Sequence, residues 1–387
     1  MSKRIIHLFF SKFLHESRLY KSFYFSYNRN PNLEQYHVAI LTKKSIDNLN
    51  YDLPHYANVL PGLAFDFKGF NRSSKIIISI ICLFNYLIFS FIYLLFYRPK
   101  LVCIHNPELL IFVPIIKFLS LFYKIKICYE PHELEVHKVS IQNRKHFSYI
   151  YFLLEFVTTP FCDLVVLVTK PIEDWYKSKY KLDNTLIIPN IPSVDFNHFR
   201  ASTKQSSESH QEPCPPLDIR SSLGLSKDKI IFLYQGSIDK ARGVNQLVEI
   251  FSNIKNKKGV LVFMGYGQEV ENIIKASDNS NNIYYHPPVD TSILIDFSSS
   301  ADFGINTVPT NSKLCLSYKF AMGNKFFEYL LSGLQLIVTS NLVYQASTVK
   351  EYDLGFVVEP NVKSLSILIN NILNNQSQYT HKSNKRI

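Results

Sequence analysis

The sequence predicts an α/β protein built from two Rossmann-like domains, and three observations carry that expectation. Short apolar runs recur at 5–10, 37–42, 100–106, 126–130 and 164–168, then again at 229–236, 259–264, 282–286, 301–306 and 335–338. Segments of helical periodicity separate several of them, the alternation that builds parallel sheets. The 387 residues suffice for two cores of ordinary size. Polar and glycine-rich residues, finally, gather just after several of these runs, at the strand edge where doubly wound sheets bind ligands.

Composition narrows the class. A hydrophobic fraction of 47%, with 24 Tyr and 30 Phe, excludes disorder. The net charge of +11 favours an anionic partner. No basic block is interleaved with aromatics, so lipid headgroups and diphosphates rank ahead of nucleic acid. Six cysteines (82, 103, 128, 162, 214, 315) show no Cys-x-x-Cys spacing, which predicts reduced core thiols rather than disulfides or a zinc site. The N-terminus lacks a long apolar core and a small-residue cleavage site, so no signal peptide is expected.

In the first half, 5–10 and 37–42 read as strands joined through a helix over 18–29, a βαβ opening. The loop 11–18 lies at the ligand-binding edge. His15, Glu16 and Arg18 are candidate ligand contacts there, the alternative being ordinary exposed loop residues. Ile76 to Tyr97 has no charge over 22 residues, a length and composition that satisfy a membrane span. A span would separate the opening βαβ unit from the sheet it completes. A helix packed on that sheet, its aromatic outer face at a bilayer interface, is the favoured reading. Arg72, Lys75, Arg98 and Lys100 would suit anionic headgroups.

Tyr129-Glu-Pro-His-Glu-Leu-Glu135 follows a strand that Pro131 ends, so His132 and Glu133 are presented at its carboxyl edge. His105 and Asn106 close the preceding strand. A histidine hydrogen-bonded within a loop is the bland alternative for His132. Leu186-Ile-Ile-Pro-Asn190 is a strand stopped by proline, and residues 201–216, rich in Ser, Glu, Gln and Pro, read as an exposed loop.

In the second half, the strand 229–236 runs through Gly236 into Ser-Ile-Asp-Lys-Ala-Arg-Gly243 and a helix. A glycine turn with Lys240 and Arg242 at a helix entry suits a diphosphate, although it has neither dinucleotide-fingerprint nor P-loop spacing. The strand 259–264 closes on Gly265. A helix over 324–332 places Phe327, Leu330, Leu331 and Leu334 on one face, with Lys325, Glu328 and Ser332 on the exposed one. Gly323 opens that helix and, with Asn324, offers amides to an anion. An ordinary surface ion pair is the alternative.

Asn-Lys-Phe-Phe-Glu-Tyr-Leu-Leu-Ser-Gly, starting at Asn324 and followed by a hydrophobic strand, resembles the donor-site helix of retaining two-domain glycosyltransferases of the group 1 or family 4 type. The resemblance implies a GT-B fold, two Rossmann-like domains facing each other across a cleft. It implies that the glutamate matching Glu328 holds the ribose of a sugar nucleotide, and that Arg242, ahead of Lys240, meets phosphate. The Glu-Pro-His-Glu loop resembles the family's aspartate-x-histidine-glutamate motif, so His132 would reach the transferred sugar, supported by Glu133. The loop with Pro287 and Pro288 falls where the family contacts the nucleobase. Two positions depart from the pattern: Phe320 stands where an earlier glutamate is common, and Gln335 where proline is usual.

The expectation is therefore an acceptor-side domain over 1–195, a linker over 196–222, a donor domain over 223–365, and a C-terminal helix and basic tail over 366–387 that crosses back. Catalytic candidates are His132, Glu133, Arg242 and Lys325. Donor contacts are Gly236, Lys240, Gly265, Gly323, Asn324 and Glu328; acceptor contacts are His15, Glu16, Arg18 and Asn106. No Asp-x-Asp occurs, and neither metal nor cofactor is expected. The expected activity moves a sugar from a nucleoside-diphosphate-sugar to a glycan or lipid-linked acceptor in cell-surface polysaccharide synthesis, with retention. The expected place is cytoplasmic, peripheral on the inner face of the plasma membrane. A sugar-nucleotide epimerase of the same fold, a non-catalytic glycan- or lipid-binding scaffold, and an integral membrane protein anchored by 76–97 remain alternatives.

Overall fold

The computed structural model describes residues 3–9, 29–30, 32–42, 58–64, 72–138, 141, 144–192, 218–308 and 315–375. The chain divides into two compact units, Met1–Pro189 and Asn190–Ile387. Residues 18–28 of the expected helix over 18–29 and most of the expected linker lie outside the described residues.

The first unit runs β1 (Lys3–Leu8), β2 (Leu33–Thr42), β3 (Asn58–Ala64), α1 (Arg72–Tyr97), β4 (Leu101–Ile104), α2 (Val113–Tyr123), β5 (Lys126–Tyr129), α3 (Lys145–Thr158), β6 (Leu164–Leu167), α4 (Lys170–Tyr180) and β7 (Thr185–Ile187). Its parallel sheet has the order β3-β2-β1-β4-β5-β6-β7. Strand β3 was not anticipated. Its Pro61 and Gly62 disrupt the apolar run, and proline is tolerated because β3 is an edge strand.

Helix α1, the candidate span, lies on this sheet. Tyr86, Ser90 and Leu94, at i, i+4 and i+8, are fully buried along one side. The Tyr86 hydroxyl accepts from Phe9 N at 3.1 Å and donates to Val38 O at 3.1 Å, tying the helix to β1 and β2. Among the described residues no helix is long and apolar enough to cross a membrane. Glu155 on α3 makes a second tie: it accepts from Tyr129, Tyr176 and Tyr180 at 2.6, 2.6 and 2.7 Å. Burial raises the pKa of this carboxyl, while the three hydroxyls satisfy it and fix β5 against α3 and α4.

The second unit runs α5 (Ile219–Ser222), β8 (Ile230–Ser237), α6 (Val244–Asn253), β9 (Gly259–Tyr266), α7 (Val270–Asp278), β10 (Ile283–His286), α8 (Leu294–Ser298), β11 (Phe303–Asn306), α9 (Leu316–Phe320), α10 (Asn324–Leu331), β12 (Gln335–Thr339), α11 (Val343–Glu351), β13 (Gly355–Val358) and α12 (Val362–Asn374). The parallel order is β10-β9-β8-β11-β12-β13. Central strands β8, β9 and β12 are buried over nearly their whole length, which is why they read as unbroken apolar runs. Helix α12, expected as the start of a returning segment, packs Leu365, Ile369, Ile372 and Leu373 into this unit's own core. Residues 376–387 lie outside the described residues. Cys103, Cys128, Cys162 and Cys315 are buried and form no disulfide.

Candidate active site

Helix α10 is positioned by Tyr329. Its ring lies flat against Gly304 of β11, where an added Cβ would come within 2.3 Å of the ring. Its hydroxyl accepts from Gln235 N at 2.9 Å and faces Leu233 O at 3.1 Å. Tyr329, in the second turn of α10, thereby holds the helix against β8 and β11. The core face sits one residue earlier than the sequence suggested. Phe326 and Tyr329 are fully buried, Ser332 is buried rather than exposed, and Phe327 and Leu330 are half-buried.

The shift changes the environment of Lys325, which was expected on a solvated face. The residue is half-buried overall, but its ammonium is out of reach of solvent and has no hydrogen-bond acceptor. It lies 3.7 Å from the centroid of the Tyr234 ring, a cation–π contact. Its stem passes Gly236, which has φ +97°. Burial chiefly, with the nearby charge of Arg242, pushes the Lys325 pKa down to about 7; Glu328 opposes that fall.

Glu328 is likewise not at large in solvent. Gln235 Nε2 donates to it at 2.7 Å, and Ser298 Oγ donates to Gln235 Oε1 at 3.2 Å, so the carboxylate is held by a relay from β8 and α8. Arg242 stands on the single turn Lys240–Arg242 after β8, its guanidinium 5.4 Å from the Tyr318 ring centroid. Asn324 Oδ1 is buried without a hydrogen-bond partner, and nothing lies within 4 Å of a Cβ placed at Gly323, so the helix entry is open. Lys240 is exposed. Gly265 closes β9 at φ +155°, where a Cβ would lie 1.9 Å from Gly236 O; its need is the approach of two strand ends.

Two cations, one with its ammonium buried and lacking an acceptor, therefore stand at the entry of a helix with an oriented carboxylate one turn on. An anion with two charges completes such an arrangement, because a desolvated ammonium is costly until it is paired. Sequence reasoning missed Tyr234, Gln235, Tyr318 and Tyr329. As aromatic and amide residues in or beside apolar segments they look like core, and only the position of Gln235 just before Gly236 at a strand end marked it.

In the first unit, His132 belongs to a chain of histidines. His132 Nε2 is 3.3 Å from His105 Nδ1, and His105 Nε2 is 3.1 Å from His7 Nδ1. His105 Nδ1 also lies 3.7 Å from Glu130 Oε2. Phe9 packs against both His105 and His132, with centroids 5.5 and 5.1 Å apart. Strands β1, β4 and β5 are adjacent, which brings together three residues from distant parts of the chain. The two nitrogens of His105 serve different partners, and no group of three or more His, Cys, Asp or Glu among the described residues could hold a metal ion. Glu133 is half-buried. Glu135 is buried against Lys138 at 3.0 Å, and burial lifts its pKa to about 7. Asn106 is half-buried at the start of the turn Pro107–Phe112. His15, Glu16 and Arg18 lie outside the described residues.

Residues 217–387 match the family model described as glycosyl transferases group 1. No curated protein matches. Among solved structures, the chain is similar to sucrose-phosphate synthase from Thermosynechococcus elongatus, at 15% identity over 98% of this chain and 91% of that one, TM-score 0.67. It is similar to WaaG, a glycosyltransferase involved in lipopolysaccharide biosynthesis, at 13% identity over 98% and 93%, TM-score 0.61. It is also similar to Anabaena HepE, in complex with UDP and glucose, at 11% identity over 99% and 95%, TM-score 0.61. The chain thus has the two-domain α/β fold of GT-B glycosyltransferases, and its second unit is similar in sequence to the group 1 glycosyl transferases.

Proposed function

We propose that the protein transfers a sugar from a nucleoside diphosphate to a glycan or lipid-linked acceptor, with retention of anomeric configuration. The observation that carries this reading is the acceptor-less ammonium of Lys325 beside Arg242 at the entry of α10. A diphosphate there would pair both cations and reach the amides near Gly323 and Asn324, while Glu328, oriented by Gln235, takes a ribose hydroxyl. The family match of residues 217–387 supports the same assignment, as does the likeness to Anabaena HepE, which is in complex with UDP and glucose.

In this reading the bond from the anomeric carbon to the diphosphate oxygen breaks, and both electrons go to that oxygen. Lys325 and Arg242 stabilise the developing charge. The acceptor hydroxyl attacks from the face the diphosphate leaves, and its proton passes to the departing phosphate oxygen. Atoms and charge balance without a separate base. His132, at the carboxyl edge of the first unit's sheet, takes the contact with the transferred sugar that the family resemblance implies. The place of action is the cytoplasmic side of a membrane, where a lipid-linked acceptor would be met.

A panel of nucleoside-diphosphate sugars read by thermal shift identifies the donor, since a tight ligand raises the melting point by mass action. Glu328→Ala and Arg242→Ala remove that shift and the transfer that follows when lipid-linked glycans are supplied. Unchanged binding and transfer in both variants would sink the assignment. Conversion of the donor to its epimer without acceptor would instead favour an epimerase.

A further inference from the structure

The first unit carries an apolar surface that its fold does not use. Nineteen of the twenty-eight exposed large hydrophobic residues among the described ones are concentrated there: seven on α1, five on α2 or the turn before it, and seven on α3 or just after it. Phe84, Phe96, Phe118, Leu121, Phe122 and Tyr149 are each exposed by 62–76%. Isolated apolar side chains at a surface are ordinary, but a concentration of this size marks an interaction surface.

Topology makes these helices one face. The connections β3-α1-β4, β4-α2-β5 and β5-α3-β6 all step in the same direction across the sheet order. Right-handed crossovers stepping one way lie on one side of the sheet. Contacts agree: Arg98, at the end of α1, stacks on Tyr123 of α2 at 5.1 Å, and Tyr151 of α3 donates to Glu108 in the turn before α2.

Charge identifies the occupant. Residues 1–189 hold 23 Lys and Arg against 14 Asp and Glu, a net +9, whereas 190–387 hold 19 against 17, a net +2. The unit with the apolar face thus carries nearly all the excess. Arg98 and Lys100 follow the end of α1 and Lys124 the end of α2, all three exposed at the border of the apolar surface. A second copy of this chain would bring like charge against like charge. The twelve residues 376–387, with one Tyr and one Ile, lack the apolar area to cover three helices. We infer that the common face of α1, α2 and α3 docks onto an anionic lipid bilayer, with Phe118, Leu121 and Phe122 entering the acyl region and Arg98, Lys100 and Lys124 meeting headgroup phosphates. This goes beyond the expectation from 76–97 alone by making α2 and α3 equal partners, and it stands independently of the donor site.

The test is co-flotation of the full chain with vesicles of phosphatidylcholine alone or mixed with phosphatidylglycerol. Wild type floats with the mixed vesicles and much less with the neutral ones, and added salt releases part of it. The triple change Phe118→Ser, Leu121→Ser and Phe122→Ser weakens binding at least about tenfold, since each inserted side chain contributes more than a methylene's worth of transfer energy. All three sites are exposed, so the variant keeps its melting temperature and its donor-induced shift. As a second readout, Phe122→Trp is quenched by brominated lipid, whereas Trp175 is not. Failure of wild type to float, equal flotation by the triple variant, or a wild-type dimer that the triple change makes monomeric would overturn the inference.

Discussion

Replacing Lys325 with methionine should make the unliganded protein more stable and the donor site inert. With a folded pKa of about 7 against 10.5 for an ordinary lysine, the unfolded chain holds the proton more tightly. At pH 7 that difference costs the folded state about 4 kcal/mol, from about 1.4 kcal/mol per pKa unit. Methionine fills the same slot without the charge. It forfeits the cation–π contact with Tyr234, worth about 0.5–2 kcal/mol, so a net gain of about 2–3.5 kcal/mol remains. In a domain of this size that is a rise of several degrees in melting temperature. The pH dependence has a fixed sign. The penalty of a lysine with a depressed pKa is absent above pH 10.5 and grows as pH falls from there towards 7; Lys325→Met removes this slope. Diphosphate binding would restore the charge, so wild type takes up more of a proton on binding at pH 8 than at pH 6. Thermal unfolding across pH, with calorimetry in buffers of different ionisation enthalpy, reads both effects. A variant that is less stable at pH 7 yet binds donor normally, or a wild type that binds at pH 8 with no proton uptake, refutes the reasoning.

Three further outcomes follow from the packing. His105→Phe breaks the chain between His7 and His132; it should lower kcat for transfer while leaving the donor-induced thermal shift in place, and an unchanged kcat would count against a role for that chain. Gly304→Ala drives a methyl into the Tyr329 ring and should destabilise by about 1–3 kcal/mol in urea unfolding, weakening donor binding as α10 shifts. Glu155→Ala leaves the hydroxyls of Tyr129, Tyr176 and Tyr180 without their acceptor and should cost about 3 kcal/mol or more, measured the same way in the full chain.

Much of this molecule could be read from its sequence because parallel strands covered on both faces announce themselves as unbroken apolar runs, as in 230–234 and 335–339. Where that signal is interrupted it misleads: Pro61 and Gly62 concealed β3, whose edge position alone makes proline acceptable. At the candidate site the residue types were legible but their surroundings were not. A lysine and a glutamate three apart suggest a solvated pair, and only the docking of Tyr329 against Gly304 rotates Lys325 beneath Tyr234. The histidine chain was less legible still, because His7, His105 and His132 become neighbours through the order β1-β4-β5, which no local pattern encodes.

The most direct test of the central claim compares calorimetric affinities for a nucleoside diphosphate and for the parent nucleoside, in wild type and in Arg242→Ala. Charge-assisted contacts contribute about 1.5–3 kcal/mol each. Wild type should therefore prefer the diphosphate by at least about a hundredfold, and the variant should lose at least about tenfold of that preference while binding the nucleoside unchanged. Equal affinity for the two ligands in wild type, or a preference that survives Arg242→Ala intact, would contradict it.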